Sequence, residues 1–123
     1  MSNQEIYTRP TTITEMLERM ENFSTPEGWQ RGHDYKPDPT DVFIVTPPKC
    51  GTTWMQQIVH GLRTRGSMDF DEICRVVPWI NMAHDCGIDI YAPQVAQPHA
   101  FKTHLTLEEV PKGGKYIVVL RNP

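Results

Sequence analysis

Apolar residues along the chain fall into short clusters whose spacing predicts different elements. Between residues 13 and 23 they recur every three or four positions, which is typical of an amphipathic helix lying on a core; these positions are Ile13, Met16, Leu17, Met20 and Phe23. Thr12 and Glu15 have the spacing of a capping box at the start of that helix. The following segment, 25–41, holds prolines and glycines among polar residues and predicts an irregular connection.

Two continuous apolar runs have the composition of strands buried on both faces, at residues 42–45 and 116–120. A loop with proline and glycine leads from the first run into a second helical pattern, which ends at Gly66; its apolar residues are Trp54, Met55, Ile58, Val59 and Leu62. A short helix is expected at 71–77 and a short strand at 100–103. Strands and helices in this order predict an α/β fold, a parallel sheet flanked by helices.

Composition and charge narrow the class of protein. The 123 residues carry a formal net charge of -3, so the chain lacks the basic surface of a general nucleic-acid binder. No apolar stretch approaches the roughly 20 residues that cross a bilayer, and the first residues do not have the pattern of a secretion signal. The cysteines are odd in number and contain no CxxC pair, which predicts reduced thiols. We expect a cytoplasmic protein without nucleic-acid or membrane partners.

Metal ligands are not predicted either. His84 and Cys86, with His99 and His104 downstream, fit none of the spacings of zinc sites.

The loop after the first strand, residues 46–54, is the most informative segment for function. A strand that feeds a glycine-bearing loop and then a helix N-terminus directs unpaired backbone N–H groups and the positive end of the helix dipole at one point. Lys49 adds a charge, Gly51 permits close approach, and Thr52 and Thr53 add hydroxyl donors. The loop predicts a phosphate site. The simpler alternative is an ordinary strand–helix turn with an exposed lysine.

This loop differs from a Walker A sequence. Its lysine lies two residues before the glycine instead of directly after it, and the upstream glycine is missing. Triphosphate hydrolysis also needs Mg²⁺ and an acidic residue, often at a strand end, whereas the second apolar run is followed by Arg121. These differences favour metal-free handling of a nucleotide anion. A nucleotide kinase or NTPase with an aberrant loop stays as an alternative.

Four motifs, in order, resemble those of the cytosolic sulfotransferases. PPKCGTTW at 47–54 resembles the family's 5′-phosphosulfate loop, and VPWI at 77–80 resembles a segment near its acceptor pocket. FKTHL at 101–105 resembles the segment with the catalytic histidine. KYIVVLRNP at 115–123 resembles the strand whose terminal arginine grips the 3′-phosphate of the nucleotide. The resemblance covers the chain from about Pro26 onward.

Two residues depart from the family pattern. Cys50 stands where the loop usually has serine, a change that leaves backbone N–H donation intact, and Asn81 stands where an acid is common.

The resemblance implies transfer of a sulfonate group from 3′-phosphoadenosine-5′-phosphosulfate (PAPS) to a hydroxyl or amine of a small molecule. It implies that His104 is the general base that takes the acceptor's proton. Lys49 would stabilise the leaving oxygen, and Lys102 would fix donor and acceptor. Thr103 and Trp79 would join Lys102 and His104 at the substrate.

The same resemblance implies a set of donor-binding residues. Trp54 would stack on the adenine, although it also suits the first core position of its helix, and Arg121 would pair with the 3′-phosphate. The full set is Lys49, Cys50, Gly51, Thr52, Thr53, Trp54 and Arg121.

Family members are much longer, so the resemblance implies that residues 1–123 are the N-terminal part of one sulfotransferase domain. Within it, residues 1–11 are expected to lack fixed structure, and 42–66 to form the strand, the phosphosulfate loop and a helix. A truncated fragment that is inactive or binds the donor weakly is therefore an alternative, and full-length relatives often form homodimers. A Golgi carbohydrate sulfotransferase would be expected to carry an N-terminal membrane anchor, which the first residues do not predict.

Overall fold

The fold, taken from a computed structural model, is described for residues 9–21 and 23–122. The three strands of the described residues form one parallel sheet with the first strand of the chain at its centre and the other two at its edges, which confirms the predicted α/β class with a parallel sheet. None of the described helices is long and apolar enough to cross a membrane. The elements are α1 (Ile13–Glu21), α2 (Pro26–His33), β1 (Val42–Val45), α3 (Thr52–Thr64), α4 (Ile73–Val76), β2 (Ala100–Thr103) and β3 (Lys115–Val118).

Strand β1 lies at the centre of the sheet and is buried on both faces. Side chains alternate along a strand, so Phe43 enters one apolar cluster and Ile44 the other. The first cluster is rich in aromatic rings: the ring centroid of Phe43 lies 5.7 Å from those of both Phe101 and Tyr116. The second cluster is covered by α3 and α4. Burial on both faces explains why β1 has a continuous apolar sequence.

The register brings the carboxyl ends of the three strands level. Val45 of β1 lies opposite Thr103 of β2 and Val118 of β3. One more hydrogen bond continues each ladder: the N–H of Thr46 donates to the Thr103 carbonyl over 3.2 Å, and that of Val119 donates to the Val45 carbonyl over 3.3 Å. The residues that follow the three strands therefore meet at one edge of the sheet, the edge where parallel sheets bind ligands.

Helix α3 begins after Gly51 and ends at Thr64, two residues before the predicted stop at Gly66, but much of its buried face is polar. Gln56 and His60 are buried with Val59, and the Gln56 amide donates to the Val77 carbonyl over 2.9 Å. Several of the apolar residues that predicted the helix are exposed instead, namely Trp54, Ile58 and Leu62. The periodicity identified the helix without identifying which of its residues face the core.

Arg63 joins the end of α3 to the loops beside it. Its guanidinium donates to the carbonyls of Val76 (2.7 Å) and Pro98 (2.9 Å) and to the side-chain oxygen of Gln94 (2.6 Å). Its Nε also donates to Nδ1 of His60 over 3.1 Å. The Arg63 side chain thus holds the largely irregular segment between α4 and β2 against the end of α3.

The predicted irregular connection after α1 was wrong, because it contains α2. The Thr25 hydroxyl caps this helix by accepting from the N–H of Gly28 over 3.0 Å. A Cβ at Gly28 would lie 2.5 Å from Asp85 Oδ2, and one at Gly32 would lie 2.7 Å from the Cα of Asn81. Gly28 and Gly32 therefore allow α2 to pack closely against Asp85 and Asn81. In the sequence alone, the same glycines indicate a break in a helix.

The prediction that α1 lies on the core was also wrong. The Glu15 N–H donates to the Thr12 hydroxyl over 3.1 Å, as the capping spacing indicated, yet no residue of the helix is buried. The apolar face of α1 is open to solvent within the described structure. The expectation that residues 1–11 lack fixed structure falls mostly on 1–8, which lie outside the described residues.

His60 generates a prediction about stability and pH. Burial, and to a lesser extent the charge of Arg63, lowers the pKa of His60 from its ordinary value of 6.5. His60 is then protonated more readily in the unfolded chain than in the folded protein. The free energy of unfolding should therefore fall as the pH decreases below 6.5. His60→Gln should weaken this dependence, because glutamine keeps an acceptor for Arg63 without titrating.

Urea unfolding at several pH values on either side of 6.5 measures this effect. His84→Gln, which replaces an exposed imidazole, is the matched control. An equal pH dependence in the two variants would contradict the prediction.

Candidate active site

A cavity of about 410 Å³ lies at the carboxyl edge of the sheet. Its wall combines the loop after β1, the first turn of α3, the ends of β2 and the segment after β3. The lining residues are Pro48, Lys49, Gly51, Thr52, Thr53, Trp54, Lys102, His104 and Arg121. The level register of the strands thus places most of the predicted site residues around one space.

The loop between β1 and α3 reaches the cavity through two left-handed residues. Gly51 has φ 102° and Lys49 has φ 63°, a conformation that costs a residue with a side chain roughly 1–2 kcal/mol. Gly51 is the N-cap of α3 and has no side chain with which to cap the first turn, so N–H groups of that turn stay available to a ligand. The hydroxyls of Thr46 and Thr52 hydrogen-bond each other and fix the loop.

The electrostatics of this cavity favour an anion, and we call it the anion cavity. Within the described lining, Lys49, Lys102 and Arg121 are cationic and no carboxylate is present. The positive end of the α3 dipole adds to their field. Across the described residues, no group of three His, Cys, Asp or Glu side chains could hold a metal ion. The three cationic side chains and the helix N-terminus give the site a positive potential.

His104 is held in one tautomer. Its Nδ1 lies 2.9 Å from the carbonyl oxygen of Thr46, and a carbonyl only accepts, so Nδ1 carries the proton. The unprotonated Nε2 is then the nitrogen that can take a proton from a ligand. The sequence reasoning missed Thr46; the signal that could have found it is its place directly after β1.

Trp79 packs beside both Lys102 and His104. It forms a single parallel bridge with Lys102, and the Lys102 ammonium lies 5.0 Å from the Trp79 ring centroid. The rings of Trp79 and His104 meet edge to face, with centroids 5.1 Å apart. Trp79 also lines a second cavity of about 270 Å³, where Phe23 lies 6.4 Å from it, centroid to centroid. The Trp79 indole therefore lies between the anion cavity and the second cavity, whose wall is partly aromatic.

Three predicted site residues lie outside the lining of the anion cavity, namely Cys50, Thr103 and Trp79, although Trp79 contacts Lys102 and His104. The side chain of Cys50 lines a neighbouring, mostly apolar cavity beside Met55 and Val119. Thr103 is fully buried under the site. Trp54, in contrast, lines the cavity and is 74% exposed, which is incompatible with a core position.

A parallel α/β sheet with a cationic, glycine-bearing loop at its carboxyl edge is typical of proteins that bind nucleotides or phosphate. The family model described as a sulfotransferase domain matches residues 39–123. The chain therefore belongs to the sulfotransferase family, as its motifs predicted.

Individual relatives agree with this assignment. Sulfotransferase 1C2 of Homo sapiens is 26% identical over 110 residues, which cover 80% of this chain and 37% of that protein. Sulfotransferase 1B1 of Mus musculus is 32% identical over 91 residues, covering 68% and 30%. Cytosolic sulfotransferase 1 of Danio rerio is 26% identical over 130 residues, covering 95% and 43%. The chain thus spans less than half the length of these curated relatives.

The left-handed N-cap generates a second prediction. Gly51→Ala should destabilise the fold by about 1 kcal/mol, because φ 102° disfavours any side chain. The nearest atom to a Cβ at this position lies 3.9 Å away, so the cost comes from the backbone and not from a clash. Chemical unfolding measures it.

Gly61→Ala in the same helix is the matched control. A Cβ there has no neighbour within 4 Å, so the substitution should stabilise the helix by roughly 0.5–1 kcal/mol. Equal effects of the two alanines would refute the conformational explanation.

Proposed function

We propose that this sulfotransferase chain uses PAPS as its donor and a small hydroxyl or amine compound as its acceptor, with His104 as general base. The observation that carries the proposal is the hydrogen bond from His104 Nδ1 to the Thr46 carbonyl, 2.9 Å long. It leaves Nε2 able to accept a proton beside Lys49 and Lys102, which line the same cavity. A base and two cations at one anion site suit transfer of a negatively charged group.

The cavity residues fit a nucleotide donor that is anionic at both ends. The first turn of α3 and the hydroxyls of Thr52 and Thr53 would hold the 5′-phosphosulfate, together with backbone N–H groups of Cys50 and Gly51. Arg121 would hold the 3′-phosphate through its planar fork. The exposed indole of Trp54 offers a face on which adenine can stack.

When bound, PAPS supplies the sulfonate, whose S–O bond to the 5′-phosphate breaks as the bond to the acceptor forms. His104 takes the acceptor's proton, and Lys49 stabilises charge on the departing oxygen. Lys102, held over the Trp79 ring, positions both reactants. The chemistry we propose draws its positive charge from these side chains.

We propose the cavity beyond Trp79 as the place of the acceptor. It adjoins His104 through the Trp79 ring and combines Phe23, Met82 and Ile88 with charged residues at its wall. This arrangement suits a small compound with an apolar body and one polar group. Thr103 would support the substrate site from below.

Donor binding is the direct test. Adenosine 3′,5′-bisphosphate, titrated calorimetrically, should bind the chain, and Lys49→Ala or Arg121→Ala should weaken it roughly tenfold or more, since each removes a charged hydrogen-bond partner. Lys112→Ala, an exposed lysine outside the cavity lining, should leave the affinity unchanged.

His104→Gln separates binding from chemistry. It should keep the affinity for adenosine 3′,5′-bisphosphate and abolish sulfonate transfer from PAPS to phenolic, alcoholic and amine acceptors. Magnesium-dependent ATP binding without affinity for the bisphosphate would favour the kinase or NTPase alternative.

A second alternative follows from the small part of its relatives' length that this chain covers. A fragment that binds the bisphosphate weakly and transfers no sulfonate would fit a chain covering 30% to 43% of those proteins. A cytoplasmic location and a homodimer of the full-length form stay predictions.

A further inference from the structure

Buried hydrogen bonds connect helix α2 to the residue before His104. Asn81 is fully buried, and its Nδ2 lies 3.2 Å from the Trp29 carbonyl oxygen and 3.1 Å from Nδ1 of His33. Its Oδ1 lies 3.2 Å from the hydroxyl oxygen of Thr103, which is also fully buried. Neither Asn81 nor Thr103 belongs to the described lining of the anion cavity.

The Trp29 carbonyl fixes the orientation of the Asn81 amide. A carbonyl oxygen only accepts hydrogen bonds, so the amide nitrogen must face Trp29 and the amide oxygen must face Thr103. The Thr103 hydroxyl therefore donates to Asn81. An aspartate at this position would set a carboxylate oxygen against the Trp29 carbonyl, so the network needs a neutral amide.

Helix α2 lies directly against this amide. A Cβ at Gly32 would come within 2.7 Å of Asn81 Nδ2, so only glycine lets the helix approach this closely. The position of Asn81 is thereby set from both sides, by α2 and by β2.

The Thr103 hydroxyl also closes a turn around His104. Its oxygen accepts from the N–H of Leu105 over 3.0 Å, a bond that spans His104. The Thr103 carbonyl accepts from Thr46 N–H over 3.2 Å, and the Thr46 carbonyl accepts from His104 Nδ1. With its proton directed at Asn81, the hydroxyl oxygen turns a lone pair towards the N–H of Leu105.

We infer that Asn81 and Thr103 are positioning residues for His104. Asn81 directs the Thr103 hydroxyl, and that hydroxyl closes the turn that keeps the imidazole against the Thr46 carbonyl in the Nδ1–H tautomer. The inference rests on the proposed role of His104 as general base. It gives Thr103, which does not reach the anion cavity, a role in the site, and it extends the site to helix α2.

Thr103→Val tests the inference, because it removes the hydroxyl and keeps the branched shape. Nitrogen-15 NMR of the His104 imidazole, recorded without nucleotide, should change from a single Nδ1–H tautomer to a tautomer mixture. Thr103→Ser, which keeps the hydroxyl, should restore the single tautomer. Asn81→Ala, which keeps the hydroxyl but removes its acceptor, should behave like Thr103→Val.

Tyr35→Phe is the matched control. It removes a buried hydroxyl that donates to Asp41 over 2.6 Å, beside the amino end of β1 and away from His104. It should leave the His104 signals unchanged, so a general loss of stability cannot mimic the expected result.

Kinetics provide a second measurement. With the unsubstituted chain active, Thr103→Val and Asn81→Ala should lower kcat roughly 10- to 100-fold, since small displacements of a catalytic group are costly. The affinity for adenosine 3′,5′-bisphosphate should change by less than about twofold, because neither residue lines the donor site.

A folded Thr103→Val protein that retains the single His104 tautomer would overturn the inference, as would failure of Thr103→Ser to restore it. If Thr103→Val does not fold, Asn81→Ala decides the same question through the same signals. Absence of sulfonate transfer by the unsubstituted chain would refute the proposed function alone, because the NMR measurement needs neither donor nor acceptor.

Discussion

The site depends on one constraint, the level parallel register of β1 between β2 and β3. Burial of β1 on both faces fixes that register, because a slip of one residue would exchange Phe43 and Ile44 between the two clusters. The same register places Lys49, His104 and Arg121, which follow three different strands, around one cavity. Packing in the core thus determines the positions of the cations at the edge.

Polar residues beneath the anion cavity orient the side chains of the site through hydrogen bonds. Thr46 contributes its hydroxyl to the loop and its carbonyl to His104, and Asn81 joins the His104 segment to α2. Each of these groups is satisfied by a partner of fixed direction, so the His104 imidazole is oriented before any ligand arrives. Preorganisation of this kind is what a transfer site requires.

Local sequence was sufficient to predict β1, α3, the loop between them and the edge of the sheet at which they meet, since each has its signal within a few residues. It was not sufficient where the cause is distant. Gly28 and Gly32 obscured α2 because the close neighbours that require them, Asp85 and Asn81, lie far along the chain. The direction of the Thr103 hydroxyl likewise depends on Asn81, 22 residues earlier. Helical periodicity gave no information on which side of α3 is covered.

The anchoring of the loops by Arg63 bears on how this protein can diverge. Two of its acceptors, at Val76 and Pro98, are backbone carbonyls, which every residue type provides. Side chains in the region between them can therefore be exchanged while the anchor points persist. Because that region includes most of the wall of the second cavity, the chemistry of that wall can change over generations while Arg63 keeps the same contacts.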